Sequence, residues 1–411
     1  MNIAILYHYF YPDDVISARL FSDLAQHLVK TGHTIEALPC NRSCRNEKVA
    51  YPAKEDWEGI QIKRIRRPAL RQSTTAGRII NSIYMMASWS AHLIRRKPDL
   101  IIIGTDPQGG LCILPFVRPY LRKTKIFHWC HDLYPQLLRA EGMLSENNIL
   151  YKAISTMTRK AYRHCDCIVD IGPQMRNILN EECPYTKHET ITPWGLTEAA
   201  CVRKPDIEIR RKLFGTAKLA LLYSGNYGRA HCANLFFTLA RSLRHDSVKL
   251  LFSVRGNKVN ELKALLHADD NNIEIISCVN ETDLQSHLES ADMHLASLKE
   301  EFSGLAVPSK YFGSIALGRP VIYSGHEKSD IARWINMHGT GYVINSNNTQ
   351  NTAMTIKGLI SDPALLSGLQ TKTRQCYADN FSKAMMLNQW TTLTTSRLAG
   401  ISDGRIDSKT R

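Results

Sequence analysis

The feature that most constrains this chain is an alternation. Short apolar, β-branched runs are separated by longer stretches of helical periodicity, and the pattern falls into two blocks. In the first block the runs read as strands at 2–7, 34–38, 61–66, 99–103, 125–129 and 167–171. In the second they lie at 218–224, 249–254, 273–277, 292–296, 320–323 and 341–344. Between them, segments such as 17–31 set Leu20, Leu24 and Leu28 on one helical face and stop at Gly32. Strands joined by helical crossovers pair in parallel. The alternation therefore predicts an α/β chain with two doubly wound, Rossmann-like sheets. A length of 411 residues suits two domains. The join falls near Pro193–Arg211, where a mixed polar stretch follows Pro193-Trp194-Gly195. The expected division is 1–198, 199–376, a last helix at 377–400, and a tail at 401–411 of turn and charge character.

Composition removes several classes. No apolar run reaches the ~18–20 residues that a membrane span needs. No basic segment precedes the opening strand and no small-residue cleavage site follows it, so a cytoplasmic chain is expected. The eleven cysteines are odd in number, scattered and without a Cys-x-x-Cys pair. They read as reduced thiols, and no metal site is assigned.

The net charge of +14 has a local concentration. Between Gly59 and Pro98 there is no acidic residue, while Lys63, Arg64, Arg66, Arg67, Arg71, Arg78, Arg95, Arg96 and Lys97 are basic. Such a patch suits anionic lipid, a phosphate-bearing acceptor or nucleic acid. Segment 76–97 within it is amphipathic. Ile79, Ile80, Ile83, Met86, Ala87, Leu93 and Ile94 are assigned to one face, and Arg78, Asn81, Ser88, His92 and Arg95 to the other. Two readings stay open. Either the apolar face packs on its own sheet, or the helix lies at the rim of the first domain and presses Tyr84, Trp89 and the Arg95-Arg96-Lys97 end into an anionic bilayer.

Doubly wound sheets bind ligands beyond the carboxyl ends of their strands. After 218–224 comes Ser224-Gly225-Asn226-Tyr227-Gly228-Arg229-Ala230-His231, a glycine turn with a cation able to meet a phosphate bidentately. After 292–296 comes Glu301-Phe302-Ser303-Gly304-Leu305-Ala306-Val307-Pro308-Ser309-Lys310, a glycine loop running into a helix start. Free amides there, the positive end of a helix and the Lys310 ammonium suit a diphosphate. Strand 125–129 leads into His131-Asp132 at the presumed cleft, and strand 2–7 into a His8–Asp14 loop before Ser17 and Arg19. Each pattern is also compatible with an ordinary strand–loop–helix connection.

Taken in order, these segments resemble glycosyltransferase family 4, and most closely its bacterial members that build surface polysaccharides. The residues that carry the likeness are His131-Asp-Leu-Tyr-Pro135, Tyr223-Ser-Gly-Asn-Tyr-Gly-Arg-Ala-His231, and Gly304-Leu-Ala-Val-Pro-Ser-Lys310 with Ala316-Leu-Gly-Arg-Pro-Val-Ile322. The resemblance implies the GT-B fold, two such domains facing a cleft, with acceptor bound by the first and donor by the second. It implies metal-independent transfer of a hexosyl or N-acetylhexosaminyl group, with retention, from a nucleotide sugar, preferably a uridine diphosphate sugar. The acceptor implied is a polyprenyl-diphosphate-linked glycan or an oligosaccharide. No separate cofactor and no nucleic acid is implied.

By position, Arg229, Lys310 and the amides of Gly304, Leu305 and Ala306 would cradle the diphosphate, with Gly225, Asn226, Gly228 and Ser309 beside it. His131 would sit over the donor sugar and Glu301 would touch its hydroxyls. The basic 59–98 segment would dock the chain at the inner face of the cytoplasmic membrane. One departure stands out. Where many members place a carboxylate for the nucleotide ribose, three residues after Lys310, this chain has Gly313. Rival readings are a donor-binding scaffold without activity, a sugar-nucleotide epimerase on the same fold, and a nucleotide-cofactor oxidoreductase. The last would want a Gly-x-Gly-x-x-Gly turn where Tyr7–Pro12 stands.

Overall fold

The computed structural model describes residues 1–399 apart from Ala69 and Ser73. The tail expected at 401–411 lies outside the described residues.

The first sheet has eight strands: β1 (Asn2–Leu6), β2 (Thr34–Ala37), β3 (Lys54–Trp57), β4 (Ile60–Lys63), β5 (Leu100–Gly104), β6 (Lys125–Trp129), β7 (Cys167–Asp170) and β8 (His188–Thr190). Their order is β3-β4-β2-β1-β5-β6-β7-β8, parallel except for the β3–β4 pair. The second has six: β9 (Leu219–Asn226), β10 (Val248–Arg255), β11 (Ile273–Ser277), β12 (Met293–Ser297), β13 (Val321–Ser324) and β14 (Gly341–Ile344). Their order is β11-β10-β9-β12-β13-β14, all parallel.

Central strands such as β5, fully buried along Leu100–Gly104, read as continuous apolar runs because helices cover both faces. The apolar runs missed β3 and β8, which close the two edges of the first sheet. Lys54-Glu-Asp-Trp57 and His188-Glu-Thr190 are half exposed and carry no core stripe.

The last helix, Lys383–Ala399, packs on the Ile16–Lys30 helix of the first domain. Trp390 is fully buried, 4.9 Å from the Trp129 ring, and His27 Nε2 lies 2.7 Å from Thr391 Oγ1. Among the described residues no helix is long and apolar enough to cross a membrane.

The Thr75–Arg96 helix corrects the assignment of its faces. Its packed side is Gly77, Asn81, Met85, Trp89 and Leu93, whereas Ile79, Ile80, Ile83 and Tyr84 are exposed. The five packed positions recur every four residues and so drift slowly around one side. Trp89, offered above as a bilayer contact, is fully buried and donates its indole N–H to the Leu38 carbonyl at 2.8 Å. The basic segment is also divided. Arg64 is buried on Glu55 and the Tyr11 carbonyl, Arg67 is buried, and Lys63 pairs with Glu36.

Candidate functional site

In each sheet one strand has neighbours reached by crossovers in opposite directions. In the second sheet it is β9, between β10 and β12; in the first it is β1, between β2 and β5. Loops leaving such a switch point diverge and open a crevice. The loops after β9 and β12 hold Arg229 and Glu301–Lys310, and those after β1, β5 and β6 hold His8, Asp106 and His131-Asp132.

Strand β9 runs three residues past its buried apolar run, so Ser224, Gly225 and Asn226 lie in the ladder opposite Ser253, Val254 and Arg255. Lys310 Nζ donates to the Asn226 carbonyl at 3.0 Å and lies 5.2 Å from the Tyr223 ring centroid. Gly225 is required by its φ of +113° rather than by space, since a Cβ there would only touch Lys310 Cε at 3.4 Å. Burial lowers the Lys310 pKa from 10.5 to about 8, against Cys278 and helped by Arg255. Gly228 precedes Arg229, which is 45% exposed and reaches across the cleft to Glu141, 3.8 Å away.

Glu301 lies exposed in a short turn, Glu300–Phe302, ahead of the Gly304 bend at φ +77°. The Leu305 amide is occupied within this turn by the Phe302 carbonyl at 3.0 Å, so it is not a free phosphate donor. The Leu305 carbonyl instead accepts from the Leu133 amide at 3.0 Å, and Ala306 pairs with Asp132 in an antiparallel bridge. Ser309 stands at the cap of the Lys310–Ala316 helix with its hydroxyl making no capping bond.

On the opposite wall, the His131 amide is fixed by Thr105 Oγ1 at 3.0 Å, and its ring rests 4.6 Å from Trp129. Burial, then neighbouring His128, depresses its pKa to about 3, so the ring is neutral. Its Nε2 is buried and has no partner among the described residues. Asp132 is pushed up to about 7 by burial, with Asp106 and Glu141 adding to the shift. His8 lies 3.4 Å from Asp106; burial works against its charge, but the carboxylate raises it to about 10. Further links tie the two walls: Arg19 pairs with Glu281, and the Gln174 amide donates to Asp330 at 3.1 Å. One wall thus offers cations where a leaving anion could rest, and the other offers carboxylates where hydroxyls could bind.

Residues 17–194, which carry the His131-Asp132 wall, match Glycosyltransferase Family 4. They form a family 4 glycosyltransferase domain. The chain is 24% identical over 305 residues to the probable glycosyltransferase WbjE of Pseudomonas aeruginosa, covering 72% of this chain and 74% of that protein. Its fold is GT-B. Sucrose-phosphate synthase from Thermosynechococcus elongatus superposes with a TM-score of 0.74 at 14% identity, covering 97% of this chain and 100% of that one. Anabaena HepE, solved in complex with UDP and glucose, does so with a TM-score of 0.68 at 11% identity, over 96% and 100%.

A cavity of about 500 Å³ opens between the domains, lined by Glu141, Met143, Arg229, Lys258, Lys299 and Glu301 among others. Arg229 and Glu301 therefore share one space, while Lys310, at the start of the Lys310–Ala316 helix, turns its ammonium to the end of β9. A larger hollow of about 780 Å³, between Lys187–Ile191 and Met385–Leu393, includes none of these groups. Lys258, Lys299, Glu141 and Asp106 were not among the residues singled out from sequence. Lys258 carried a usable signal, since it stands two residues after Gly256, in the glycine turn that leaves β10, much as Arg229 stands in the turn that leaves β9. Gly256, at φ +129°, lets that turn press on the Tyr227 carbonyl, where a Cβ would come within 2.4 Å.

Proposed function

We propose that this glycosyltransferase moves a hexosyl or N-acetylhexosaminyl group from a uridine diphosphate sugar to a polyprenyl-diphosphate-linked or oligosaccharide acceptor. The process served is assembly of a bacterial surface polysaccharide, with the protein held peripherally at the inner face of the cytoplasmic membrane. The observation that carries this reading is a pair of cations at the end of β9: Arg229 in the loop after it, facing Glu141 of the first domain, and the Lys310 ammonium on the Asn226 carbonyl. The motifs that resemble the surface-polysaccharide members support the acceptor class, and the UDP bound by HepE supports the nucleotide.

The reaction retains the anomeric configuration. The acceptor oxygen bonds to the anomeric carbon on the face that the diphosphate leaves, the carbon–oxygen bond to phosphate breaks, and the hydroxyl proton departs with the leaving phosphate. Charge builds on the diphosphate, so preplaced cations facing it lower the barrier. Lys310 and Arg229 supply that field, with Gly225, Asn226, Gly228, Ser309 and the Gly304–Ala306 loop shaping the pocket. Asp132, as a carboxylate, accepts the acceptor hydroxyl's hydrogen bond and orients it. The unpartnered His131 Nε2 meets a donor-sugar hydroxyl, and Glu301 meets another. No protein nucleophile or metal ion enters this scheme.

A donor-binding scaffold is the second reading, favoured by the missing carboxylate at Gly313. Release of nucleotide from radiolabelled UDP-sugars, with and without a bacterial lipid extract, separates the two. Extract-dependent release supports the transferase; donor binding without turnover in any extract supports the scaffold.

A further inference from the structure

The Thr75–Arg96 helix has two apolar faces and packs only one of them. Ile79, Ile80, Ile83 and Tyr84 point away from the domain, each between 43% and 56% exposed. Single exposed apolar side chains are ordinary, but a continuous row along one helix is not. Further apolar exposure lies on elements beside this helix. The short Leu114–Val117 helix packs against the Thr75–Arg96 helix and exposes Phe116 at 69%, and the following turn exposes Tyr120 at 59%.

The segments that carry this row are basic, and the carboxylates that reach the helix, Glu36 at His92 and Arg96 and Glu47 at the Gln72 amide just before it, come from elsewhere in the chain. Residues 59–98 and 107–131 contain no Asp or Glu. Arg96 lies 3.8 Å from Glu36, but Arg78, Arg95 and Lys97 make no ion pair among the described residues. Arg122 and Lys123 follow Tyr120 directly. An apolar helix face bordered by free cations, with tyrosines at its margin, is the pattern of a segment lying in the headgroup layer of a bilayer. A second copy of the chain would bring a second basic face against the first, which repels.

We propose that the outward face from Ile79 to Tyr84, with Phe116 and Tyr120, seats in the surface of an anionic lipid bilayer while the surrounding arginines and lysines pair with lipid phosphates. The inference deepens the reading of the protein as a transferase at a membrane. It rests on that reading only for the acceptor being lipid-borne.

The test is flotation of the full chain with vesicles of phosphatidylcholine alone or with phosphatidylglycerol. Binding to the anionic vesicles is expected to exceed binding to neutral ones at least tenfold. The Ile80→Asp/Ile83→Asp double variant should lose at least tenfold in binding with its Tm unchanged within a few degrees, since both side chains are already in water. Arg95→Glu/Arg96→Glu should weaken binding and flatten its salt dependence. Equal binding by the aspartate variant, or no anionic binding at low salt, overturns the proposal. So does a dimer in light scattering that Ile80→Asp/Ile83→Asp disperses while vesicles are ignored. Nucleotide release with a soluble acceptor is scored separately. Vesicle binding without any transfer would leave the docking surface standing and the transferase reading refuted.

Discussion

Lys310 Nζ and the Asn226 carbonyl oxygen lie 3.0 Å apart, an ammonium parked on the end of a β-strand. The extension of β9 to Asn226, paired with Arg255, sets that carbonyl where the lysine reaches it. A bound diphosphate offers the same ammonium full negative charge in place of a carbonyl dipole. The lysine therefore bonds more strongly when the donor arrives.

The pH dependence follows from Lys310 and Asp132. Burial lowers Lys310 to about 8, so the cation is present below that pH and is lost as pH rises through it. Burial raises Asp132 to about 7, so its carboxylate is absent below that pH and appears as pH rises through it. The expected kcat/KM profile is a narrow bell with limbs near these two values. Asp132→Asn should remove the acid limb at a lower plateau, and initial-rate measurements from pH 5 to 10 read both. A profile flat across that range excludes both assignments.

Gly313 provides a gain-of-function prediction. A Cβ at this helical position would meet nothing within 4 Å, so a side chain can start there without a clash. Gly313→Glu replaces the poorest helix former after proline, a gain of up to about 1 kcal/mol in stability. It also supplies the ribose carboxylate that the resembling proteins have. A charge-assisted hydrogen bond of about 1.5–3 kcal/mol would tighten UDP binding roughly tenfold or more. Inorganic diphosphate, which lacks ribose, should bind as before. Calorimetry with both ligands decides, and unchanged UDP affinity counts against the placement of the nucleotide.

Trp390 joins the last helix to the site. It is fully buried against Trp129, whose ring in turn lies 4.6 Å from His131. Trp390→Ala leaves a cavity there and should cost about 3–5 kcal/mol in urea unfolding. A loss below about 1 kcal/mol would mean the helix contributes little to the first domain.

Much of this architecture was legible because most strands are buried on both faces and so spell unbroken apolar runs. The two edge strands were not, since Lys54–Trp57 and His188–Thr190 meet water and owe their conformation to their neighbours. The Thr75–Arg96 helix defeated periodicity for a different reason. Isoleucines mark one side, but the packed side uses Gly77, Asn81 and Trp89, and the Asn81 and Trp89 side-chain N–H groups donate to the Leu70 and Leu38 carbonyls. In the cleft, Arg229 announced itself through the adjacent Gly228 and Lys310 through the glycine loop that ends at its helix. Glu141 and Asp106 did not, because only the folding of distant loops brings them beside Arg229 and Asp132. The Leu305 amide shows the converse, a donor that the glycine loop promised and its own turn consumes.

The central claim is that Lys310 and Arg229 hold the donor's diphosphate, and isothermal titration of UDP tests it most directly. Each alanine substitution should weaken binding at least tenfold, and Lys310→Ala should also abolish the loss of affinity above about pH 8. UDP affinity unchanged in both variants would contradict the account.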